Sequence, residues 1–215
     1  MTLLEKIKSG ELYDCSFDTL PEEIDKIINY NQELLYDFNT SRPSQLKLRE
    51  EIIRKVFAEV GENCYIEPPF HANWGCNMHV GKNFYANFNL TVVDDADIFI
   101  GDGVMIAPNV VLATGTHPIC PDLRDPTYQY NLPIHIGNRV WIGAGAIILP
   151  GVTIGNDSVI GAGSVVTKDI PSGVVAVGNP CRVLREIGEK DRIYYFKDRK
   201  IDYSDPAIAE AVKEN

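Results

Sequence analysis

The sequence lacks the features that mark membrane and nucleic-acid-binding proteins. Its 215 residues contain no apolar run of the roughly 18 residues that a membrane span needs. Charged residues interrupt the first ten positions, where a secretory signal would carry its apolar stretch. Basic residues are scarce, since 20 Lys and Arg face 30 Asp and Glu for a net charge of −10, and binding to nucleic acid or anionic lipid requires a basic surface. We therefore expect a cytoplasmic protein with neither a nucleic acid nor a membrane as partner.

Cysteine is also too sparse to build the structure. No two cysteines are spaced as Cys-x-x-Cys or in another pattern typical of zinc ligands. The chain is long enough to bury a core without cross-links. The sequence thus predicts one main domain with free thiols and no bound metal. The five cysteines are Cys15, Cys64, Cys76, Cys120 and Cys181.

A six-residue repeat is the strongest pattern in the chain. Between Ile136 and Val166 an aliphatic residue recurs at every sixth position, and glycine follows most of these residues. Shorter tracts with the same period run over residues 80–98 and 100–112, with a two-residue slip between them. The period matches neither the 3.6 residues of a helix nor the alternation of a half-buried strand. It is typical of short strands joined by turns, for which pairs such as Gly155-Asn156 supply the required conformations.

Three such strand–turn units close a triangular coil of about 18 residues, so the sequence predicts a mainly β protein built as a parallel β-helix. The repeated aliphatic side chains should point inward and stack from coil to coil. Residues 78–170 would form about five coils, roughly 24 Å of prism at the usual strand spacing. An accidental period in a glycine-rich β-sandwich is the competing interpretation, but it does not explain six consecutive matches.

Segments without the repeat flank and interrupt the predicted β-helix. Residues 1–60 are predicted to form an N-terminal helical cap, with apolar residues at helical spacing over 21–38 and 43–60. The β-helix itself is expected over 61–175. The proline-rich stretch 118–133 should leave it as an exposed loop with His117 at its root. Residues 176–215 are expected to form a C-terminal extension, with strands at 174–177 and 182–187, a turn at 178–180 and a short helix at 188–195.

Several motifs within and beside the repeat are specific enough to suggest a family. They are Gly61-Glu-Asn63, Glu67-Pro-Pro69, Asn83-Phe-Tyr-Ala-Asn-Phe-Asn89, Ile106-Ala-Pro-Asn109, Thr116-His-Pro118, Trp141-Ile-Gly143, Pro150-Gly-Val-Thr-Ile-Gly155, Ser164-Val-Val-Thr-Lys168 and Tyr194-Tyr-Phe-Lys-Asp198. Over residues 3–203 the sequence resembles the sugar O-acetyltransferases of the left-handed β-helix superfamily. It is most similar to the galactoside O-acetyltransferases, and then to the maltose O-acetyltransferases. The resemblance implies a left-handed β-helix, acetyl-coenzyme A as acetyl donor, and a homotrimer with sites between neighbouring subunits.

The resemblance implies catalytic roles for two residues. Acetyl transfer to a sugar hydroxyl requires a base, and the neutral imidazole of His117, in the Thr-His-Pro motif, suits that role because its unperturbed pKa is about 6.5. The amide of Asn87 can donate a hydrogen bond to the oxyanion that develops during the reaction. The other histidines are interpreted as structural or surface residues, and His135 should point outward because it precedes the inward Ile136.

The acceptor site implied by the resemblance departs from the family pattern at two positions. Asn73 stands where the galactoside enzymes carry serine, and Cys15 stands where they carry aspartate, with Asp14 beside it. A galactoside-type acceptor is favoured, and maltose, glucose or another small hydroxyl compound is the alternative. The residues expected to bind the acceptor are Asp14, Cys15, Asn73, Tyr85, Asn87 and Asp95.

Coenzyme A is a polyanion, so an acidic protein must bind it with local cations and a narrow groove. The resemblance assigns its phosphates to Lys168, Arg182 and Arg185, and arginine can hold a phosphate with two hydrogen bonds at once. Small residues would line the pantetheine arm, with an aromatic side chain near the thioester. These lining residues are Trp141, Ala144, Ala162 and Thr167.

Two other functions are compatible with a hexapeptide β-helix. A γ-type carbonic anhydrase needs three zinc-binding histidines, for which His79 and His117 would serve as two, but the third expected position holds Asp122. A non-catalytic scaffold is the second alternative, since a fold does not dictate an activity. A scaffold would not require Asn87, the Thr-His-Pro motif and the late arginine pair together.

Overall fold

The computed structural model describes residues 1–16 and 19–213. Residues 17–18 of the predicted cap and 214–215 of the predicted extension lie outside the described residues. The chain winds into about six coils, whose short strands form three sheets of parallel strands. These sheets are the faces of a triangular prism. No helix within the described residues has both the length and the apolar character needed to cross a bilayer.

Each face of the prism contains one strand from successive coils. The first face holds β2 (Glu59–Val60), β5 (Met78–Val80), β8 (Ile98–Ile100), β13 (Ile134–Ile136) and β16 (Thr153–Ile154). The second face holds β3 (Tyr65–Ile66), β6 (Tyr85–Ala86), β9 (Met105–Ile106), β14 (Trp141–Ile142), β17 (Val159–Ile160) and β19 (Val174–Val177), followed by the antiparallel β20 (Arg182–Glu186). The third face holds β4 (Phe70–Ala72), β7 (Leu90–Val93), β10 (Val111–Ala113), β15 (Ile147–Ile148) and β18 (Val165–Val166).

Turns join the faces along three edges of the prism. We call the edge between the first and second faces the first edge, that between the second and third faces the second edge, and that between the third and first faces the third edge. At the first edge, side-chain amides bridge successive coils, as where the backbone N–H of Asn138 donates to Asn156 Oδ1 at 2.8 Å. A Cβ at Gly137 would lie 2.3 Å from that oxygen, so the glycine is needed for this close approach.

The repeated aliphatic residues form the core, as the sequence predicts. Ile106, Ile142 and Ile160 lie opposite one another on adjacent strands of the second face, and they are at most 1 % exposed. The phase slip between residues 98 and 100 also has a structural cause. Ile98 and Ile100 both point inward from the three-residue strand β8, because side chains alternate along a strand and the intervening Phe99 points outward.

The N-terminal cap covers one open end of the prism, and its bounds differ from the predicted ones. The predicted helix over 43–60 ends early, because the chain becomes extended at Phe57 and then enters the first coil as β2. One full coil, residues 59–72, therefore precedes the tract that shows the repeat. The sequence pattern also missed the first helix, which a capping box between Thr2 and Glu5 initiates and Gly10 ends. The cap helices are α1 (Leu3–Ser9), α2 (Glu22–Thr40) and α3 (Leu46–Val56).

The stretch 118–133 is not simply an exposed loop. It contains the short helix α4 (Pro121–Arg124) and the strand β12 (Tyr128–Asn131), which pairs antiparallel with both β1 (Tyr13–Asp14) and β11 (Gly115–Thr116). The N-terminal segment therefore ties this excursion back to the third edge. The four-residue alternation of β12 was too short to distinguish it from a loop in the sequence.

The C-terminal extension follows the predicted order of elements. The strand β20 ends one residue before the predicted bound, and the short helix is α5 (Glu189–Ile193). A hairpin of β21 (Tyr194–Phe196) and β22 (Arg199–Lys200) and the helix α6 (Pro206–Lys213) complete it.

Candidate active site

His117 lies at the third edge, directly after β11. Its Nδ1 is 2.8 Å from the backbone carbonyl oxygen of Tyr128. A carbonyl oxygen only accepts hydrogen bonds, so Nδ1 carries the proton, and the lone pair of the neutral ring is on Nε2. The side chain is exposed, and its Nε2 has no partner among the described residues. This arrangement presents a proton acceptor of defined orientation to a ligand.

Asp95 is buried beside His117 at the same edge. The Nδ2 of Asn73 donates to its Oδ1, and the Nε2 of Gln129 donates to its Oδ2 at 2.7 Å. Burial raises the pKa of Asp95, while these two hydrogen bonds and the electrostatic influence of the nearby His117 ring act in the opposite direction. The third edge thus brings together three of the predicted site residues: Asn73, Asp95 and His117.

The N-terminal segment brings Asp14 and Cys15 to the excursion beside His117. The Cys15 thiol donates to the carbonyl oxygen of Thr127 at 2.7 Å, next to the carbonyl that holds His117. Burial raises the pKa of Cys15, so the thiol stays protonated. Hydrogen bonds from Ser16 lower the pKa of Asp14, so its half-buried carboxylate is ionised. Of these two side chains, Asp14 is therefore the charged one.

Asn87 lies at the second edge, in the turn after β6. Its Oδ1 accepts the backbone N–H of Phe88 at 2.8 Å, which fixes the orientation of the amide. No hydrogen bond to its Nδ2 is found among the described residues, so this group is available to donate. Asn87 has the chemistry of an oxyanion donor.

The second edge below Asn87 is lined by progressively smaller side chains. Phe88, Pro108, Ala144 and Ala162 succeed one another in stacked turns, as the backbone hydrogen bonds between successive coils show. A Cβ built on Gly145 or on Gly163 would meet no atom within 4 Å. The edge is therefore an open strip with low walls.

Tyr85, Met105 and Trp141 form an outward-facing row on the second face. They lie opposite one another on adjacent strands, and about half of the Met105 and Trp141 surfaces is exposed. Tyr85 also stacks on Tyr65, with ring centroids 6.3 Å apart. Met105 was not among the predicted site residues, because nothing in the six-residue repeat distinguishes it from an ordinary outward position.

The two arginines of β20 differ in availability. The guanidinium of Arg185 makes two hydrogen bonds of 2.7 Å to the carboxylate of Asp191, which lower the pKa of Asp191 to about 2. Arg182 is exposed, and among the described residues its guanidinium hydrogen-bonds only to the carbonyl oxygen of Cys181. Arg182 is thus the freer cation for a phosphate. Thr167 and Lys168 are exposed at the third edge, across the third face from Ala162.

A single chain does not bring all of the predicted site residues together. His117, Asp95 and Asn73 lie at the third edge, whereas Asn87, Ala144 and Ala162 lie at the second. The strands of the third face separate these edges by roughly 10 Å, given a rise of about 3.3 Å per residue. The two groups therefore lie on opposite margins of one face.

Sequence reasoning missed the side chains that hold Asp95 in place. Gln129 and Asn131 point from β12 toward Tyr13 of β1, and hydrogen bonds of 2.8–2.9 Å join the three. Burial raises the pKa of Tyr13 to about 12. The Tyr-Gln-Tyr-Asn alternation of β12 was the available signal.

The site shows no arrangement typical of a metal centre. Among the described residues, no group of three or more His, Cys, Asp or Glu side chains is placed to hold a metal ion. The two histidines of the carbonic anhydrase alternative have separate environments. His79 lies between Glu59 and Asp97 on the first face, while His117 contacts Tyr128.

Comparison with known proteins assigns the family. Residues 133–168 match the bacterial transferase hexapeptide family, and residues 6–61 match the maltose acetyltransferase hexapeptide capping motif. The galactoside O-acetyltransferase of Escherichia coli K12 is 52 % identical over 95 % of this chain and 98 % of its own length. This chain belongs to the hexapeptide-repeat O-acetyltransferases. A second member of that family, the galactoside O-acetyltransferase of Lactococcus lactis, is 55 % identical over 79 % of this chain and 82 % of its own length.

Solved structures of this family confirm the predicted left-handed β-helix. A galactoside acetyltransferase in complex with coenzyme A superimposes with a TM-score of 0.90 at 51 % identity, covering 94 % of this chain and 99 % of that one. A maltose O-acetyltransferase from Clostridium difficile 630 gives a TM-score of 0.83 at 46 % identity, covering 88 % of this chain and 99 % of that one.

Proposed function

We propose that this O-acetyltransferase transfers an acetyl group from acetyl-coenzyme A to a hydroxyl of a sugar, with a galactoside-type acceptor favoured. The observation that carries the proposal is the orientation of His117. Its Nδ1–H donates to the Tyr128 carbonyl, and its free Nε2 lies at the edge that also holds Asp95. The coenzyme A complex of a 51 % identical galactoside acetyltransferase supports the choice of donor.

His117 acts as the general base in this proposal. A sugar hydroxyl is a very weak acid, so its proton must leave as its oxygen attacks the acetyl carbon. The Nε2 lone pair accepts this proton, and the resulting imidazolium keeps its hydrogen bond to the Tyr128 carbonyl. The carbon–sulfur bond of the tetrahedral adduct then breaks, and the departing sulfur of coenzyme A takes the proton from Nε2, which leaves the acetyl ester, free coenzyme A and the neutral imidazole. No residue has to become acetylated, because acetyl-coenzyme A supplies an acyl group already activated as a thioester.

The donor's long arm fits the second edge. The small walls at Ala144 and Ala162 and the open surface over Gly145 and Gly163 would accommodate pantetheine. The free Nδ2 of Asn87 would donate to the acetyl oxygen as negative charge develops there. Thr167 lies at the third edge, so it would contact the arm from the third edge of a neighbouring copy. The phosphates would be held by Arg182, with Lys168 and Arg185 supporting it.

We further propose that the active site forms between subunits of a homotrimer. The proposed base and the proposed oxyanion donor lie at different edges of one prism. Packing the second edge of one copy against the third edge of the next would bring Asn87 of one chain to His117 of the other. Three copies related in this way close a ring. Sedimentation should then give about three times the chain mass of 24.0 kDa, and a stable, active monomer would contradict the shared site.

The acceptor is bound at the third edge. Asp95 and Asp14 would accept hydrogen bonds from sugar hydroxyls, and the amide of Asn73 would add both donor and acceptor capacity. Tyr85 would pack against the sugar from the second face. Maltose or glucose is the second candidate acceptor, because the chain is also 46 % identical to a maltose O-acetyltransferase and carries the capping motif of that name.

The deciding experiment is a panel of acceptors. Thiol release from acetyl-coenzyme A is measured with β-galactosides, glucose, maltose and serine, and the product of each reaction is identified by mass. We expect the highest kcat/KM with a galactoside. Release that no sugar stimulates would contradict the proposal, and faster transfer to maltose would favour the second candidate.

The cytoplasm is the proposed compartment. All five cysteines are free thiols, which suits a reducing environment.

A further inference from the structure

We propose that Gln129 is a positioning and specificity-determining residue of the acceptor site, which holds the Asp95 carboxylate and accepts a hydrogen bond from a second, neighbouring hydroxyl of the acceptor. The inference deepens the proposed function and, for its acceptor half, rests on it. Gln129 lies on β12 of the excursion, outside the repeat.

The side-chain nitrogen of Gln129 faces three oxygens. Its Nε2 lies 2.7 Å from Asp95 Oδ2, 2.8 Å from the Tyr13 hydroxyl oxygen and 2.8 Å from Asn131 Oδ1. The opposite amide orientation would place Oε1 against a carboxylate and an amide oxygen. The contacts therefore determine which end of the amide faces Asp95.

The partners of Gln129 are themselves held in place. Asn131 is fully buried, and its Nδ2 donates to the Tyr13 hydroxyl at 2.9 Å and to the carbonyl oxygen of Ile7 in α1 at 3.0 Å. A Cβ at Gly115 would lie 2.6 Å from Asp95 Oδ2 and 3.1 Å from Gln129 Nε2. The glycine leaves the space that this carboxylate–amide pair occupies, so the pair is built into the fold.

The other end of the Gln129 amide is free for a ligand. Its Oε1 has no hydrogen-bond partner among the described residues, and it is not a buried unsatisfied atom, so it reaches solvent. Asp95 receives one hydrogen bond on each oxygen, from Asn73 and from Gln129, and keeps lone pairs for a hydroxyl donor. Asp95 and Oε1 thus form two adjacent acceptors, which match a pair of neighbouring hydroxyls on a sugar.

The first test replaces Gln129 by Met, which keeps the length of the side chain and removes both polar ends. We expect the kcat/KM for the acceptor to fall about 10- to 100-fold, since a site that bonds a hydroxyl loses this much when the pairing is broken. The KM for acetyl-coenzyme A should change less than about twofold. The matched control is Tyr130→Phe, because Tyr130 points to the opposite face of β12 and its hydroxyl makes no hydrogen bond among the described residues.

Monodeoxy acceptors separate recognition from mere packing. With the wild-type enzyme, one deoxy analogue of the accepted sugar should lose about tenfold in kcat/KM beyond the others, and Gln129→Met should abolish that difference. A variant that keeps the wild-type preference among the analogues would overturn the specificity role.

A carboxylate at the same position gives a pH readout. In Gln129→Glu the new carboxyl faces Asp95, with His117, Tyr13 and Cys15 as the other titratable groups around that residue. Two adjacent carboxyls share one proton and lose it only at raised pH. The variant should therefore lose activity as pH rises through the loss of that proton, a decline that the wild type and Tyr130→Phe lack. An unaltered pH profile would overturn the positioning role.

A measurement that needs no turnover separates the two proposals. The Asp95 carboxyl is titrated by NMR in the wild type and in Gln129→Met, and loss of the Nε2–H donor should raise its pKa further. An unchanged Asp95 titration overturns the positioning role even in an active enzyme. A wild type that acetylates no sugar overturns the proposed function and the acceptor half of this inference, while a raised Asp95 pKa in the variant would still support the positioning role.

Discussion

The regular coils and the third edge of the prism are built on opposite principles. The interior of the coils between residues 134 and 177 is aliphatic, and its buried polar side chains are the hydroxyls of Ser158 and Ser164, which donate to backbone carbonyls within the turns. The third edge, by contrast, buries carboxylates and amides. Its buried polar residues are Asn77, Asp94, Asp95, Thr114 and Asn131.

This difference shows where the fold accepts a cost in stability. Burying a carboxylate is unfavourable unless it is hydrogen-bonded, and burial indeed raises the pKa of Asp94 to about 6 although backbone N–H groups of Trp74 and Asn77 bond to it. The coils have no such groups and supply rigidity instead. The third edge uses that rigidity to hold the polar side chains that face the proposed acceptor.

The sharpest way to test the contrast is to remove the base without touching the core. His117→Ala should lower turnover roughly 10²- to 10⁴-fold, because no other group takes the hydroxyl proton. Thermal unfolding and coenzyme A binding should remain those of the wild type, since His117 is exposed. His135→Ala on the first face is the matched control. Full activity of His117→Ala would remove it as the base.

The converse change weakens the packing of the coils and leaves the proposed catalytic residues unchanged. Ile148 is fully buried and packs between Leu112 and Val166 on adjacent strands. Ile148→Ala should lower the free energy of unfolding by about 2–5 kcal/mol, as large-to-small core changes do. Urea denaturation at matched protein concentration measures this, with the exposed Thr153→Ala as control. A loss of turnover without a loss of stability would contradict the assigned roles.

A smaller effect is expected in β20, after the last regular coil. Arg182→Ala should raise the KM for acetyl-coenzyme A about tenfold, the loss of a charged hydrogen bond, and leave the KM for the acceptor unchanged. Arg185→Ala should have the weaker effect, because Asp191 already engages that guanidinium. Steady-state kinetics of the two single variants and the double variant decide this. An unchanged KM in the double variant would refute the phosphate role.

The smallest effect concerns the buried carboxylates of the third edge. A carboxyl whose pKa is raised by folding binds its proton more tightly in the folded state, so its contribution to stability is present below about pH 4 and is lost as pH rises through its folded pKa. For Asp94, with a folded pKa of about 6, stability should fall by about 1 kcal/mol between pH 5 and pH 7.

Asp95 acts in the same direction, so Asp94→Asn should reduce this pH slope without abolishing it. Urea denaturation at several pH values measures the slope. An identical slope in the variant would contradict the role of Asp94.

The prediction of the fold succeeded where each residue's environment repeats. Ile142 lies between Ile106 and Ile160 of the adjacent strands, six-residue repeat positions like its own, so a local pattern carries the tertiary information. The prediction was weaker at the cap, where α1 was missed and the helix over 43–60 was predicted to extend into the start of the first coil. The position of α1 depends on contacts such as that between Asn131 and Ile7, which are far apart in the chain.

By itself, the sequence determined the prism, its inward residues and the family motifs, because period-six stacking and glycine-containing turns are local properties. Only the tertiary structure decided that Gln129, Asn131 and Tyr13 surround Asp95, that Asp191 engages Arg185, and that His117 and Asn87 lie at different edges. These relations depend on where the non-repeating segments pack against the prism. Long-range hydrogen bonds and burial fix those positions, and the sequence carries no periodic signal for them.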